Sequence, residues 1–404
     1  MGRAESGARP SPLSTASSDT LGRVRDALNQ AGYEEASVHD LLHVAVLPSF
    51  RRRREARADS LARTKGRSPL ETLVRLFLLR EPAAVEAVQG IQPTRLEDWI
   101  ETGLLVRDPA GVLATVELTP CEGLAVASDW AGLPPRDPLE VMSVTASSRA
   151  LAQTMVRRSV ETCLDLGTGS GVLALLAARH CGQAVATDKN PRAVAFARWN
   201  ARLNGVKNVS FLEGDLFSPV EGETFDLVLC NPPFVLAPSV DFLHSHSGLP
   251  ADTFLREIIR QAPGYLAEGG VCQIIGNWAE VSGEDWRERL ASWFSGTGCD
   301  AWVLYSHSEE AEAYARERIA ESGEDVEPFA AKLDRWIAAY RRERIEAVGF
   351  GVITMRRRGN GASHVFECRS LAEVLAEAPD PAGPEALRRY LERVTGEPPK
   401  GSRS

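Results

Sequence analysis

Val160-Glu-Thr-Cys-Leu-Asp-Leu-Gly-Thr-Gly-Ser-Gly171 is the stretch whose reading decides the fold. Val160 to Leu166 is short, apolar and bounded by glycine, the pattern of a buried parallel strand. Gly167, Gly169 and Gly171 let the backbone turn sharply and approach a ligand where any side chain would clash. Val172 to Arg179 then reads as a helix whose first amides point back at the bound molecule. A dinucleotide fingerprint is the competing reading. Counted from Gly167, its last glycine falls on Val172 and the register fails. Counted from Gly169 it reads Gly169, Gly171, Ala174, which a relaxed fingerprint permits. Asp165 decides between the two readings, because a carboxylate facing the first turn repels a pyrophosphate and attracts an ammonium group.

The next segments continue the same pattern. Gln183-Ala-Val-Ala-Thr-Asp188 reads as a second strand ending in an acid, which can accept hydrogen bonds from both hydroxyls of a ribose. Asn190-Pro191 is a helix start, with Asn as N-cap and Pro in the first turn. Phe196, Trp199 and Leu203 share one face of that helix, and Gly205 closes it. Asn208 to Asp215 gives a third strand followed by Gly-Asp. A single Asp at either position would be an ordinary loop-capping acid. Their place at successive strand ends makes them informative.

Thr224-Phe-Asp-Leu-Val-Leu-Cys230 is a further strand, and Asn231-Pro-Pro-Phe234 sits at its carboxyl end, where open α/β sheets bind ligands. The prolines fix the turn. The Asn231 side-chain oxygen and the Pro232 carbonyl can both accept from a planar NH2 group, drawing its lone pair out of conjugation and aiming it at an electrophile. Phe234 offers a flat face on which a base or an amide can stack. No general base is needed before attack, since the proton can leave afterwards, and the rest of the acceleration is proximity and orientation.

With the glycine turn and Asn231-Pro-Pro-Phe234 in this order, the chain resembles the class I S-adenosylmethionine-dependent methyltransferases. It is most similar to the "methyltransferase small domain" group carrying an NPPF motif. That group includes ribosomal RNA guanine-N2, tRNA adenine-N6 and release-factor glutamine N5 enzymes. The resemblance spans roughly residues 140–305 and extends to Val348–Met355. It implies an α/β fold with a Rossmann-like seven-stranded sheet, one strand antiparallel. It also implies S-adenosyl-L-methionine as cofactor, held by Asp165, Gly167, Thr168, Gly169, Gly171, Asp188, Asp215 and Asn231. Asp215 would meet the adenine amine, and a helix beginning at Val144–Arg149 would lie over the cofactor. Asn231, Pro232 and Phe234 would be catalytic. The expected activity is N-methyl transfer to a planar amino nitrogen, with an exocyclic amine of RNA placed first, because Phe at 234 is more usual in the RNA enzymes. A protein glutamine amide or a small-molecule amine is the alternative. A non-catalytic cofactor-binding scaffold is the second alternative, against which the intact Asp165, Asp188 and Asn231 argue.

Composition sets the frame. The chain of 404 residues has a formal net charge of −9, which excludes a protein that coats nucleic acid nonspecifically. Its seven cysteines form no C-x-x-C pair, pointing to a reduced cytoplasmic protein. No apolar run reaches membrane-spanning length, no signal peptide is visible, and no membrane partner is expected. Met1-Gly2 with Ser6 meets the minimal myristoylation pattern, but the Ser/Pro/Arg-rich start reads as a tail.

The expected organisation is a disordered tail over 1–19, an N-terminal helical, winged-helix-like recognition domain over 20–136, the methyltransferase domain over 137–358 and a tail with one helix over 359–404. The winged-helix reading rests on helices up to Thr102 followed by a hairpin, Leu104 to Leu118, turning at Asp108-Pro-Ala-Gly111. A charged helical insertion is expected at about 308–345, and Asn277-Trp278, at the active edge of the fifth strand, Gly269–Gly276, is a candidate for the pocket wall, with a structural tryptophan as the equal alternative. Arg51 to Arg54, with Arg57, Arg63, Lys65 and Arg67, could grip phosphates or form a solvated helix face. His244-Ser-His246 has ligand-like spacing without a cysteine nearby, so no metal is expected, and the loop Asp241–Pro250 is placed over the substrate pocket. Nothing in the sequence fixes an oligomeric state.

Overall fold

The computed structural model describes residues 13–44, 54–66, 68–130, 138–238, 252–322, 327–358, 365–377 and 383–396. Arg51 to Arg53, Arg67, the Asp241–Pro250 loop with His244 and His246, and Met1 to Ser6 lie outside the described residues. Six helices come first: α1 (Ser18–Gln30), α2 (Glu35–Leu42), α3 (Arg54–Arg63), α4 (Pro69–Phe77), α5 (Val85–Gln89) and α6 (Leu96–Glu101). Two hairpins follow, β1 (Leu105–Asp108) with β2 (Gly111–Ala114), then β3 (Glu117–Cys121) with β4 (Leu124–Ser128). The alternating part comprises α7 (Ala146–Thr154), β5 (Val160–Leu166), α8 (Val172–Ala177), β6 (Cys181–Asp188), α9 (Pro191–Asn204), β7 (Val209–Glu213) and β8 (Phe225–Cys230). After it come α10 (Thr253–Gln261), β9 (Leu266–Val281), α11 (Trp286–Trp293), β10 (Cys299–Glu310), α12 (Ala311–Ser322), α13 (Phe329–Arg342) and β11 (Ile345–Arg357). The last elements are β12 (Phe366–Ser370), α14 (Leu371–Ala376) and α15 (Pro384–Thr395).

The chain divides into two compact units, one of residues 1–145, 168–175 and 190–211, the other of residues 146–167, 176–189 and 212–404. In the first, α4 shows how local chemistry sets an element. Ser68 caps it, Glu71 closes the capping box and Pro69 occupies the first turn. Its Leu73, Val74, Leu76 and Phe77 are buried, with the Phe77 ring 5.8 Å from that of Trp99. The expected hairpin at Asp108–Gly111 is present, but it ends at Ala114 and a second hairpin follows. That second turn is Glu122-Gly123, both at positive φ (44° and 76°), a two-residue loop that normally advertises itself as Asn-Gly.

Packing groups α9 with these N-terminal elements. Its Phe196, Trp199 and Leu203 join the core containing Leu28, Phe77 and Trp99. Two asparagines one turn apart on α9 act as a substitute strand along β4. Asn200 accepts from the Ala127 N–H at 2.8 Å and donates to the Ala127 carbonyl at 2.9 Å, and Asn204 does the same to Ala125 at 2.9 Å each. The match is geometric: four helical residues rise about 6 Å, and two strand residues about 6.8 Å. The edge of β4 is thereby covered.

The large sheet has the order β12-β10-β11-β9-β8-β5-β6-β7, and every strand but β7 belongs wholly to the second unit. β11 runs antiparallel to both β9 and β10, the one reversed strand that was expected. The sheet has eight strands where seven were expected, because residues 366–370 of the C-terminal tail pair in parallel with β10. Among its described residues the tail also holds two helices where one was expected. The expected 308–345 insertion is the helix pair α12 and α13.

Asn200 is completely buried and also donates to the Ser170 carbonyl at 2.8 Å. Asn200→Ala strands the polar groups of Ala127, at about 1–3 kcal/mol per unsatisfied group. Urea denaturation should register that loss, and a smaller one for the half-buried Asn204→Ala.

Candidate functional site

Parallel pairing brings the sequence-predicted residues of the second unit to one edge. Leu166 is paired with Thr187 on one side and with Cys230 on the other. The residues that follow this row are Gly167, Asp188 and Asn231, so three positions far apart in sequence leave three adjacent strands at one level. The Gly167 amide donates to the Thr187 carbonyl at 2.9 Å, and the Gly214 amide to the Asp188 carbonyl at 3.0 Å. Asp215, the next residue, is solvent-exposed, and its carbonyl accepts from the Ser218 amide at 3.0 Å. Asp165 is 1% exposed and Asp188 half-buried.

Gly167 and Gly169 have φ of +72° and +54°, and a Cβ added at either would meet nothing within 4 Å. Open space therefore lies beside a backbone that only glycine adopts without strain. In the first unit, Thr168 is buried and its carbonyl accepts from the Gly171 amide at 2.8 Å. Gly171 serves packing instead: at φ +89° its Cβ would lie 2.9 Å from Ala197 Cβ on α9. Within the second unit, the bare Gly167 backbone with carboxylates at 165, 188 and 215 suits a molecule bearing an ammonium group and hydroxyls better than a pyrophosphate.

Asn231 is half-buried, Pro232 buried and Phe234 half-buried. The Asn231 Nδ2 donates to Ser148 Oγ at 3.0 Å and to Ser147 Oγ at 3.2 Å, both on α7. With its NH2 engaged by two hydroxyls, the amide presents its oxygen as an acceptor. Sequence reasoning missed these serines. It placed the helix start at Val144–Arg149 and took the Ser-Ser pair only as part of it. Behind the turn, burial pushes the Cys230 thiol well above its ordinary pKa, so it stays uncharged.

Asn277 and Trp278 are inside β9, which continues to Val281, and do not stand beyond its end as expected. Trp278 is fully buried and stacks on Trp286 at 5.5 Å; its indole lies over Gly349 and Gly351 of β11, where a Cβ would collide with it. It is a core residue. Within the basic cluster, Arg57 is committed to Glu81 and to the Leu79 carbonyl, while Arg63 and Lys65 are exposed. Among the described residues no group of three His, Cys, Asp or Glu could hold a metal ion, and no helix is long and apolar enough to cross a membrane.

Comparison with known proteins identifies the family. The methyltransferase small domain family matches residues 142–287, and a domain of unknown function, DUF7059, matches residues 30–115. The chain is 34% identical to a putative protein N5-glutamine methyltransferase of Methanocaldococcus jannaschii over 34% of its own length and 72% of that protein. It is 28% identical to a release factor glutamine methyltransferase of Geobacter sulfurreducens over 54% of its length and 87% of that protein. A ribosomal RNA large subunit methyltransferase G of Pseudoalteromonas translucida shares 37% identity over 29% of each chain. Other release factor glutamine methyltransferases are matched over only about half their length. The chain belongs to the methyltransferase small domain family. It is an S-adenosylmethionine-dependent methyltransferase, and its reaction is N-methylation.

The two kinds of glycine should separate experimentally. Gly167→Ala puts a methyl into open space at a left-handed φ, at a backbone cost of roughly 1–2 kcal/mol. It should weaken S-adenosylhomocysteine binding in calorimetry while leaving most of the melting temperature. Gly171→Ala adds the collision with Ala197 and should lower the melting temperature markedly more.

Proposed function

We propose that this enzyme methylates the side-chain amide of a glutamine in a protein. The observation that carries the reading is the fixed Asn231 amide, whose oxygen is left to accept from a planar NH2 by the two serine hydroxyls. Asn231 Oδ1 and the Pro232 carbonyl hold the two target hydrogens, and the flat face of Phe234 stacks on the amide plane. Asp165 neutralises the ammonium of the cofactor, Asp188 accepts from its ribose hydroxyls, and Asp215 accepts from its adenine amine. Gly167, Thr168, Gly169 and Gly171 form the turn that admits it. Bound S-adenosylmethionine supplies an electrophilic methyl group. The protein contributes orientation and charge placement at the target nitrogen.

Two observations support a protein target over RNA. Most of the relatives described above are named for glutamine, and Arg57 of the basic cluster is spent on an internal ion pair in a chain of net charge −9. An exocyclic amine of RNA is the second reading, favoured by the ribosomal RNA relative and by Phe234 as a stacking face. Under either reading, residues 20–136 would recognise the macromolecule. All seven cysteines are free, which supports a reducing, cytoplasmic setting. Tritiated methyl transfer into cell extract, divided between RNase and protease treatment, tests the substrate. Label lost to protease and kept through RNase is the expected result, and the converse moves RNA ahead.

Asp188→Ala should weaken S-adenosylhomocysteine binding by about 1.5–3 kcal/mol, the value of hydrogen bonds to a charged group. NADH binding more tightly than S-adenosylhomocysteine would overturn the cofactor roles. Asn231→Ala should leave cofactor affinity nearly intact and reduce turnover by about 2.7–4 kcal/mol of barrier, the loss typical of one preorganised polar contact. Single-turnover kinetics checks this, and a wild-type rate would place the chemistry elsewhere.

A further inference from the structure

The segment leaving the Asn231–Phe234 turn is gripped by two hydroxyls from the helical insertion. The Leu236 amide donates to Tyr314 Oη of α12 at 3.2 Å, and Tyr340 Oη of α13 donates to the Leu236 carbonyl at 2.6 Å. Asn277 Nδ2 of β9 donates to the same Tyr314 Oη at 3.3 Å, tying that hydroxyl to the sheet. Leu236 is 2% exposed, Tyr314 0% and Tyr340 4%, so all three bonds are shielded from water. A buried residue outside any strand needs partners for both backbone polar groups. Here each comes from a different inserted helix.

The packing around this point belongs to the insertion. Leu236 shares a core with Ala311, Tyr314, Trp336 and Tyr340 of the inserted helices and with Val348 of β11. Trp336 meets Tyr340 edge-on at 6.1 Å, and Arg318 lies over the Tyr314 ring at 5.6 Å. Burial pushes the Tyr314 hydroxyl up to about 12 and moves Tyr340 upward as well, so both remain neutral through the working pH range. Pro232 and Pro233 carry no N–H, which removes two backbone donors from the turn itself. The turn therefore depends on what holds it at either end. Ser147 and Ser148 hold Asn231, and Tyr314 and Tyr340 hold Leu236, two residues past Phe234.

We propose that the α12–α13 insertion is a positioning device for the target-nitrogen site, with Tyr314 and Tyr340 as positioning residues that set Asn231, Pro232 and Phe234 through Leu236. The inference rests on the reading of Asn231–Phe234 as the turn that grips the amine. It gives the insertion a role in turnover, where a fold-stabilising appendage would act only on melting.

Tyr314→Phe and Tyr340→Phe, singly and together, remove the hydroxyls and keep the rings. Leu333→Ala, in the same core but without a hydrogen bond to the turn, is the packing control. Amide hydrogen exchange of the peptide spanning residues 231–238 reads the tether directly, and full-length enzyme gives kcat, KM and melting temperature. Tyr314→Phe should expose the Leu236 amide to faster exchange. Either single variant should lower kcat by about tenfold, the kinetic scale of one hydrogen bond. KM for S-adenosylmethionine should change by less than about twofold and melting by a few degrees. Leu333→Ala should lower the melting temperature more and kcat less. Unchanged exchange in Tyr314→Phe would overturn the tether. Faster exchange with wild-type kcat would overturn the positioning role. A wild-type enzyme that binds S-adenosylhomocysteine but methylates neither protein nor RNA would count against the nitrogen-gripping reading and the turnover role together. The exchange arm would still decide whether the hydroxyls hold Leu236.

Discussion

Parallel pairing of β5 with both β6 and β8 is the constraint on which the site depends. Because Leu166 is level with Thr187 and with Cys230, the chain leaves the sheet at Gly167, Asp188 and Asn231 along a single row. A side chain in a strand alternates faces, so a slip of one residue would turn Asp165 and its neighbours to the wrong side. Apolar burial enforces the register: Leu164, Val228, Cys163 and Leu229 are all essentially inaccessible. The carboxylates and the amide are therefore placed by the sheet, and the loops need only supply shape.

That dependence explains what the sequence made legible. The glycine turn, the acids at strand ends and the Asn-Pro-Pro-Phe turn are local patterns whose meaning follows from their order along the chain. A sheet with one reversed strand came with them through the resemblance, and a charged helical insertion at about 308–345 was legible as well. What could not be read were partners supplied from a distance. Asn200 and Asn204 sit on a helix whose apolar face was visible, yet nothing near them signals that they line the edge of β4. Ser147 and Ser148 likewise look like any helix start until Asn231 is brought beside them. β12 was missed for a different reason: Phe366 to Ser370 includes Glu367 and Arg369, and a half-buried edge strand has no apolar run to announce it. Of the two readings of Trp278 the structural one holds; the strand was expected to stop at Gly276, whereas Gly349 and Gly351 across the sheet make room for the indole and let β9 continue.

The groups assigned to the target nitrogen share one electrical property. The amide of Asn231, the carbonyl of Pro232, the hydroxyls of Ser147 and Ser148 and those of Tyr314 and Tyr340 are all neutral near pH 7. Burial works to keep them so, raising the tyrosines, and it does the same to the Cys230 thiol behind the turn. The charged acids, Asp165, Asp188 and Asp215, are those proposed for the cofactor. This division suits a reaction in which the nucleophile is a poor, neutral nitrogen. A cation at the turn would repel the sulfonium, while an anion there would hold the target hydrogens more strongly but would have to be desolvated, a penalty of several kcal/mol even after relaxation. Neutral acceptors fixed by other neutral groups avoid both penalties, and their strength then depends on rigid placement. A turn that contains two prolines and relies on neutral contacts needs external anchors, and the hydroxyls of α7, α12 and α13 provide them from both ends.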